Sequence, residues 1–229
     1  MGLMILSTYI LSITKITAII LWYTALTLHI LLLISFTYRV IKDLNIKKVF
    51  PTYFIVYVGI VIGSVTAPVF NHIKLGQFLF YFGFLSYLIL LPIILYRVIK
   101  IGNINKPALP TITIFTAPAG LCLAGYMSVF PQKNITLLGF LLTLTLLSVL
   151  VVIYHLPKML SGGFYPSFSA FTFPFVITTI GLKLANKLLV NEYELEFLNI
   201  PVKFLEITTI ILVIFVLYKY TQFLYKKWT

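Results

Sequence analysis

Apolar residues dominate the chain in runs of about 20, separated by short segments that carry the charges. A run of that length crosses the hydrocarbon core of a bilayer as a helix. The pattern predicts about seven spans, near 17–38, 51–70, 76–98, 108–130, 135–156, 165–187 and 204–225. Residues 1–13 read as a short leading segment, the remnant of an earlier helix. The fold class is therefore an all-α integral membrane protein, with 1–229 as one membrane domain.

The spans are of two kinds, and they alternate. Three contain helix breakers: 51–70 with Pro51, Gly59, Gly63 and Pro68; 108–130 with Pro110, Pro118, Gly120 and Gly125; 165–187 with Pro166, Pro174 and Gly181. Each is followed by a smooth span of Leu, Ile, Val, Phe and Tyr, with Pro92 the exception. This is a weak internal repeat, a broken helix then a smooth one, three times over. A proline inside a helix frees a carbonyl and kinks the chain. Lipid offers that carbonyl no partner, so broken helices belong inside a bundle or beside water, and smooth ones can face lipid. The expected arrangement is helical hairpins with an inner, broken ring and an outer, smooth ring around a pore.

Composition agrees: 61% of the 229 residues are hydrophobic and 10% charged. The formal net charge is +12. In a soluble protein that would suggest nucleic acid. Here the basic residues sit between apolar runs, so the charge reads as topology and no nucleic-acid partner is expected. Arg39, Lys42, Lys47 and Lys48 share one loop, and Arg97, Lys100 and Lys106 another. Lys158 and the tail Lys219, Lys226 and Lys227 fall on the same side. The other side has Lys15, Lys74 and Lys133, then a longer loop mixing Lys183, Lys187 and Lys203 with Glu192, Glu194 and Glu196. The basic-rich side is expected to be cytoplasmic, with the C-terminus inside a multi-pass protein of the cell membrane.

Absences narrow the chemistry further. The acids are Asp43, Glu192, Glu194, Glu196 and Glu206, and none is placed mid-span by the pattern. A carboxylate proton relay has no candidate. No metal cluster, nucleophile triad or phosphate loop is present in the sequence, so no cofactor, metal or enzyme activity is expected. His29 is the one ionisable group well inside a span. On a smooth helix it reads as a neutral, hydrogen-bonded histidine, with His72 and His155 interfacial. Gly59 and Gly63 form a small-xxx-small pair, read both as close helix packing and as pore lining.

Three blocks carry a family resemblance: PTYFIVYVGIVIGSVTAP (51–68), APAGLCLAGYMSVFP (117–131) and GGFYPSFSAFTFPFVITTIGL (162–182). They are similar to the tellurite-resistance/dicarboxylate transporter family. That family includes bacterial tellurite-resistance proteins, yeast malate permeases and the slow, voltage-dependent-type anion channels of plant guard cells. The resemblance runs from about residue 16 to the end, and FYPS with AFTFP is its most specific part. It implies ten helices in five hairpins around a central pore, homotrimers with one pore per subunit, and a phenylalanine plug in the ninth helix. The FTFP motif places that plug at Phe173; by pattern alone it is one of 20 phenylalanines packing in a bundle. The chain resembles the fourth to tenth helices, over 14–229, so it is expected to be N-terminally truncated.

The function implied is passage of a small anion (a C4-dicarboxylate such as malate, tellurite, chloride or nitrate) across the lipid bilayer, channel- or uniporter-like. Besides Phe173, the candidate pore-lining or helix-break residues are Gly59, Gly63, Pro118, Gly120, Ser169, Thr172 and Pro174. The alternative is a non-transporting fragment or accessory membrane protein of the same family. The loop charges make one direct prediction. Single cysteines in loops 39–50 and 97–107, including position 103, escape an impermeant reagent added outside, whereas one at 133 is labelled; the reverse pattern inverts the topology.

Overall fold

The computed structural model describes residues 1–43, 45–102, 104–161 and 163–228. Asn103, chosen above for labelling, and Gly162, the first residue of the third family block, lie outside the described residues. Every regular element among the described residues is helical. Seven helices are long and apolar enough to cross a membrane: Lys15–Lys42, Tyr53–Phe70, Ile73–Ile101, Lys106–Val129, Ile135–Leu160, Pro166–Tyr193 and Asn199–Lys226. All seven expected spans are present, mostly longer than the apolar runs, because polar end turns continue the helices into the interface.

The chain divides into two compact units, residues 1–102 with 125–133, and 103–124 with 134–229. In the first, α1 (Gly2–Ile10) packs on α2 (Lys15–Lys42). The span Tyr53–Phe70 is a relay of short pieces: α3 (Tyr53–Tyr57), a 3-10 turn at Gly59–Val61, α4 (Ile62–Thr66) and a 3-10 turn at Ala67–Phe70. Asn71, at φ 60°, ends it; asparagine is among the few side chains that tolerate this left-handed conformation. The chain then reverses into α5 (Ile73–Tyr96), which packs along the relay. Trp22 ties α2 to the relay, its Nε1–H donating to Thr66 Oγ1 at 2.8 Å. Thr66 passes its own proton to the Ile62 carbonyl at 2.8 Å.

In the second unit a 3-10 stretch, Lys106–Phe115, leads into α6 (Thr116–Val129), whose last residues, from Gly125, belong to the first unit. Continuous α7 (Ile135–Leu160) follows, then a 3-10 stretch at Pro166–Phe171, α8 (Phe173–Tyr193) and α9 (Asn199–Trp228). The two 3-10 stretches pack on each other, and α8 pairs with α9.

The alternation of broken and smooth spans is real, but the prolines act differently from the expectation. Pro68, Pro107, Pro166 and Pro174 each occupy the first or second position of a helical segment. Pro118 is the third residue of α6. A first-turn N–H has no intrahelical acceptor, so proline costs little there. These prolines split a span into 3-10 and α pieces rather than bending one helix. Pro110 lies inside the 3-10 stretch Lys106–Phe115, and Pro92 and Pro157 lie inside the smooth helices α5 and α7, which continue through them.

Burial follows the same division. In the broken spans 61%, 83% and 56% of the apolar window is buried; in the smooth spans α5, α7 and α9 the shares are 28%, 33% and 28%, and in α2 22%. A lipid-facing helix needs only one packed stripe, whereas the irregular backbone of a broken one must be covered along its length.

One loop departs from its expected bounds. Lys183, Lys187 and Glu192 are not in a connection, because α8 runs on to Tyr193. Glu206 lies two turns inside α9, and Lys183 donates to Glu206 Oε1 at 2.6 Å. Thr179 and Thr209 hydroxyls meet at 3.0 Å, and Asn186 Nδ2 donates to Asn199 Oδ1 at 2.8 Å. The pairing extends the helix because each polar side chain finds its partner across the hairpin; such bonds average about 0.6 kcal/mol in membrane bundles.

Leu147 lies near the middle of α7 and is exposed. Leu147→Arg is expected to cost about 2.5–3.5 kcal/mol of insertion free energy, read as the membrane-inserted fraction in a translocon glycosylation assay.

Candidate functional site

Six of the eight sequence-predicted site residues, Pro118, Gly120, Ser169, Thr172, Phe173 and Pro174, lie in the unit of residues 103–124 and 134–229; Gly59 and Gly63 lie in the other. The first group centres on the junction between the 3-10 stretch Pro166–Phe171 and α8. Thr172 is the hinge residue, with φ −89° and ψ −87°, neither helical nor extended. Phe173 and Pro174 then open α8, Pro174 at a position where its missing N–H is no loss.

Phe173 differs from the aromatic rings around it. Phe168, Phe171 and Phe175 are buried, at 1%, 0% and 0% exposure, whereas Phe173 is only half-buried. Phe168 stacks edge-on with Phe171 at 5.2 Å and with Phe164 at 5.4 Å. Among the described residues Phe173 has no ring partner. Of Phe168, Phe171, Phe173 and Phe175 it is thus the one that the unit's core does not consume.

The hydroxyls beside it are turned inward on the backbone. Thr172 Oγ1 donates to the Ser169 carbonyl at 2.7 Å and Ser169 Oγ to the Pro166 carbonyl at 3.1 Å. Tyr220 also donates to the Pro166 carbonyl, and Ser167 to that of Pro107. The irregular carbonyls are therefore capped by protein hydroxyls, which leaves the Ser169 and Thr172 oxygens as acceptors.

Gly120 is placed by α8. A Cβ on Gly120 would fall 2.5 Å from Thr178 Cα, and one on Gly181 would fall 2.5 Å from the Gly120 carbonyl oxygen. The two helices touch backbone to backbone. Thr178 sits at this crossing with its Oγ1 2.7 Å from the Pro174 carbonyl, within α8, and 3.0 Å from the Thr116 carbonyl, in the first turn of α6. One hydroxyl proton is shared between two acceptors. Pro118, also buried, lies between Thr116 and Gly120. Thr178 and Gly181 were not singled out as site residues by sequence. The available signal was a mid-span Thr three residues from a Gly, which in a membrane helix calls for a close neighbour.

In the other unit, Gly59 makes room for Met1 and His29, and Gly63 for Leu79, whose Cδ1 would lie 2.5 Å from an added Cβ. His29 is hydrogen-bonded, as expected, its Nε2 3.0 Å from the Val56 carbonyl beside the Gly59 break. His72 caps the start of α5 and meets the Tyr23 hydroxyl at 2.9 Å; His155 is exposed on α7. Among the described residues no three His, Cys, Asp or Glu side chains gather as metal ligands.

Set against known proteins, residues 1–221 match the model of a family described as voltage-dependent anion channel. The match includes α1, which the motif resemblance, read from about residue 16, had left out. No curated protein matches the chain.

The Gly120–Gly181 crossing yields a stability prediction. Gly120→Ala and Gly181→Ala are each expected to destabilise the protein by about 1–3 kcal/mol through overpacking. Gly139→Ala on α7, where an added Cβ meets nothing within 4 Å, is expected to be neutral or to stabilise by up to about 1 kcal/mol. Thermal unfolding of the three variants in detergent makes the comparison.

Proposed function

The chain belongs to the voltage-dependent anion channel family, and on that premise we propose that it passes small anions through a pore closed by Phe173. It is a multi-pass membrane protein, and its family is one of channels, so the activity is passage rather than catalysis. In this reading broken spans line the pore, residues 106–124 and Pro166–Tyr193 on the side of the gate, and smooth ones face lipid. As lining residues, Gly120 lets α6 and α8 approach backbone to backbone beside Pro118, and Gly59 and Gly63 make room in the other unit for Met1, His29 and Leu79, while Ser169, Thr172 and Pro174 shape the gate. The functional assembly is a homotrimer with the C-terminus in the cytoplasm of the cell.

The observation that carries the gate is the state of Phe173: half-buried and without a ring partner, at the start of α8, between phenylalanines that are wholly buried. A bulky apolar ring at a narrow point blocks ions by size and by dewetting, with no charge needed. The sign of the permeant ion follows from the surroundings. Of the five acids, Asp43, Glu192, Glu194 and Glu196 lie outside the seven spans or at the end of one, and the fifth, Glu206, is paired with Lys183. The first turn of α8 presents the positive end of a 21-residue helix beside the ring. With no unpaired mid-span carboxylate to relay protons, passage is channel- or uniporter-like. Chloride, nitrate, tellurite and C4-dicarboxylates such as malate are the candidate anions.

The test is anion flux into proteoliposomes for the wild type, Phe173→Ala and Phe171→Ala, with protein level measured in each. Phe173→Ala is expected to raise flux several-fold at near-normal abundance. Phe171→Ala removes a wholly buried ring and is expected to cost about 3–5 kcal/mol, read as lost protein. If Phe173→Ala only lowers abundance, the ring is a packing residue and the gate reading fails. If the wild type and both variants pass no anion, the chain is the non-transporting accessory protein instead.

A further inference from the structure

The ends of α2 and α5 carry a set of cations that pore and gate leave unused. Arg39 and Lys42 close α2; Lys47 and Lys48 lie on the 3-10 turn Ile46–Lys48; Lys100 lies on the π turn Arg97–Ile101 that continues α5. All five are exposed. One acid, Asp43, accompanies them, and it pairs with Lys48.

The backbone beneath these cations is held in place. Asn45 Oδ1 accepts the Lys47 N–H at 2.9 Å and fixes the 3-10 turn. Arg97, only 5% exposed, donates from Nε to the Lys47 carbonyl at 3.1 Å and from Nη1 to the Gly102 carbonyl. Its guanidinium also lies 5.3 Å from the centre of the Phe50 ring. One buried arginine thus joins two loops fifty residues apart and brings Lys47 and Lys48 beside Lys100. A topology signal needs charge in a loop, not a fixed geometry between loops.

We propose that this patch, Arg39, Lys42, Lys47, Lys48 and Lys100, binds the phosphates of anionic lipid headgroups. Its border selects lipid over an acidic protein segment. Tyr38 and Tyr96 are exposed at 59% and 57%, and Ile41, Ile46 and Ile99 are exposed among the cations. Lys42 Nζ sits 4.3 Å over the Tyr38 ring. Tyrosines at the ends of membrane helices lie at headgroup depth, and lysines held just beyond them meet the phosphates there. Because the cations sit on a preformed frame, little ordering is left to be done on binding.

The probe is the full chain in neutral detergent, its thermal unfolding followed with short-chain phosphatidylglycerol, short-chain phosphatidylcholine or inorganic phosphate added. Phosphatidylglycerol is expected to raise the midpoint by about 3 °C or more, through binding to the folded form alone. The rise shrinks as salt increases. It is lost in K42Q/K47Q/K48Q/K100Q and kept in K15Q/K74Q/K187Q/K203Q, which removes equal charge elsewhere. An equal rise with phosphatidylcholine overturns the proposal in favour of non-specific lipid contact. An equal rise with inorganic phosphate overturns it in favour of a free-anion site, and a rise kept in the patch variant shows that the patch is not the binder. If the fourfold variant does not fold, single Lys47→Gln and Lys48→Gln must each reduce the rise; unchanged values overturn the proposal.

Discussion

A backbone carbonyl freed inside a membrane must find its donor within the protein, and much of this structure answers that constraint. Three of the seven spans abandon the regular helix ladder, and lipid cannot hydrogen-bond what they release. The donors come from neighbouring side chains. His29 serves Val56, Tyr220 and Ser169 serve Pro166, and Ser167 serves Pro107. Gln77 Nε2 reaches the Val129 carbonyl at 3.0 Å, and Lys133 Nζ folds back on the last carbonyls of α6. An ammonium at a helix C-terminus also meets the negative end of the macrodipole, so Lys133 answers two demands at once.

The same constraint explains why irregular spans are buried and regular ones are not. A smooth helix closes its own hydrogen bonds and can spend its surface on lipid. A broken one has to be surrounded, and its neighbours must come close enough to bond. The Gly120–Gly181 crossing is the extreme case, with no side chain between the backbones and one threonine hydroxyl spanning both helices. Without a hydrophobic driving force between helices in lipid, such close packing and a few polar bonds hold the bundle. In the proposed mechanism this rigidity has a use. The root of α8 is anchored five residues after Phe173, so opening involves the ring rather than the helix.

Charge is distributed by similar logic. The Lys183–Glu206 pair belongs to a polar ladder down the α8–α9 hairpin, where each member is neutralised or hydrogen-bonded by its opposite. Arg97 is buried but spends its donors on carbonyls, trading its role as a surface charge for one as a tie between loops. Lys42, Lys47, Lys48 and Lys100, by contrast, are exposed at or beyond the ends of α2 and α5.

Sequence alone determined the membrane class, the number of spans and the alternation of broken with smooth helices. Those follow from local composition: a 20-residue apolar run has one solvent it can occupy, and proline and glycine mark the same weak points in any context. The proposed gate, Phe173, was singled out through the FTFP motif rather than through any property of the residue. Tertiary structure decided what periodicity cannot encode, namely which donor meets which freed carbonyl. Pro68, Pro107, Pro166 and Pro174 proved to begin segments rather than bend them, because each 3-10 stretch packs on a neighbour that stabilises the break. Lys183, read as a loop residue, became the partner of Glu206 across the α8–α9 hairpin because each offered the other a partner. Phe173 stood apart from Phe168, Phe171 and Phe175 only when burial was known. Four rings in eight residues look alike in one dimension, and only packing settles which three the core takes.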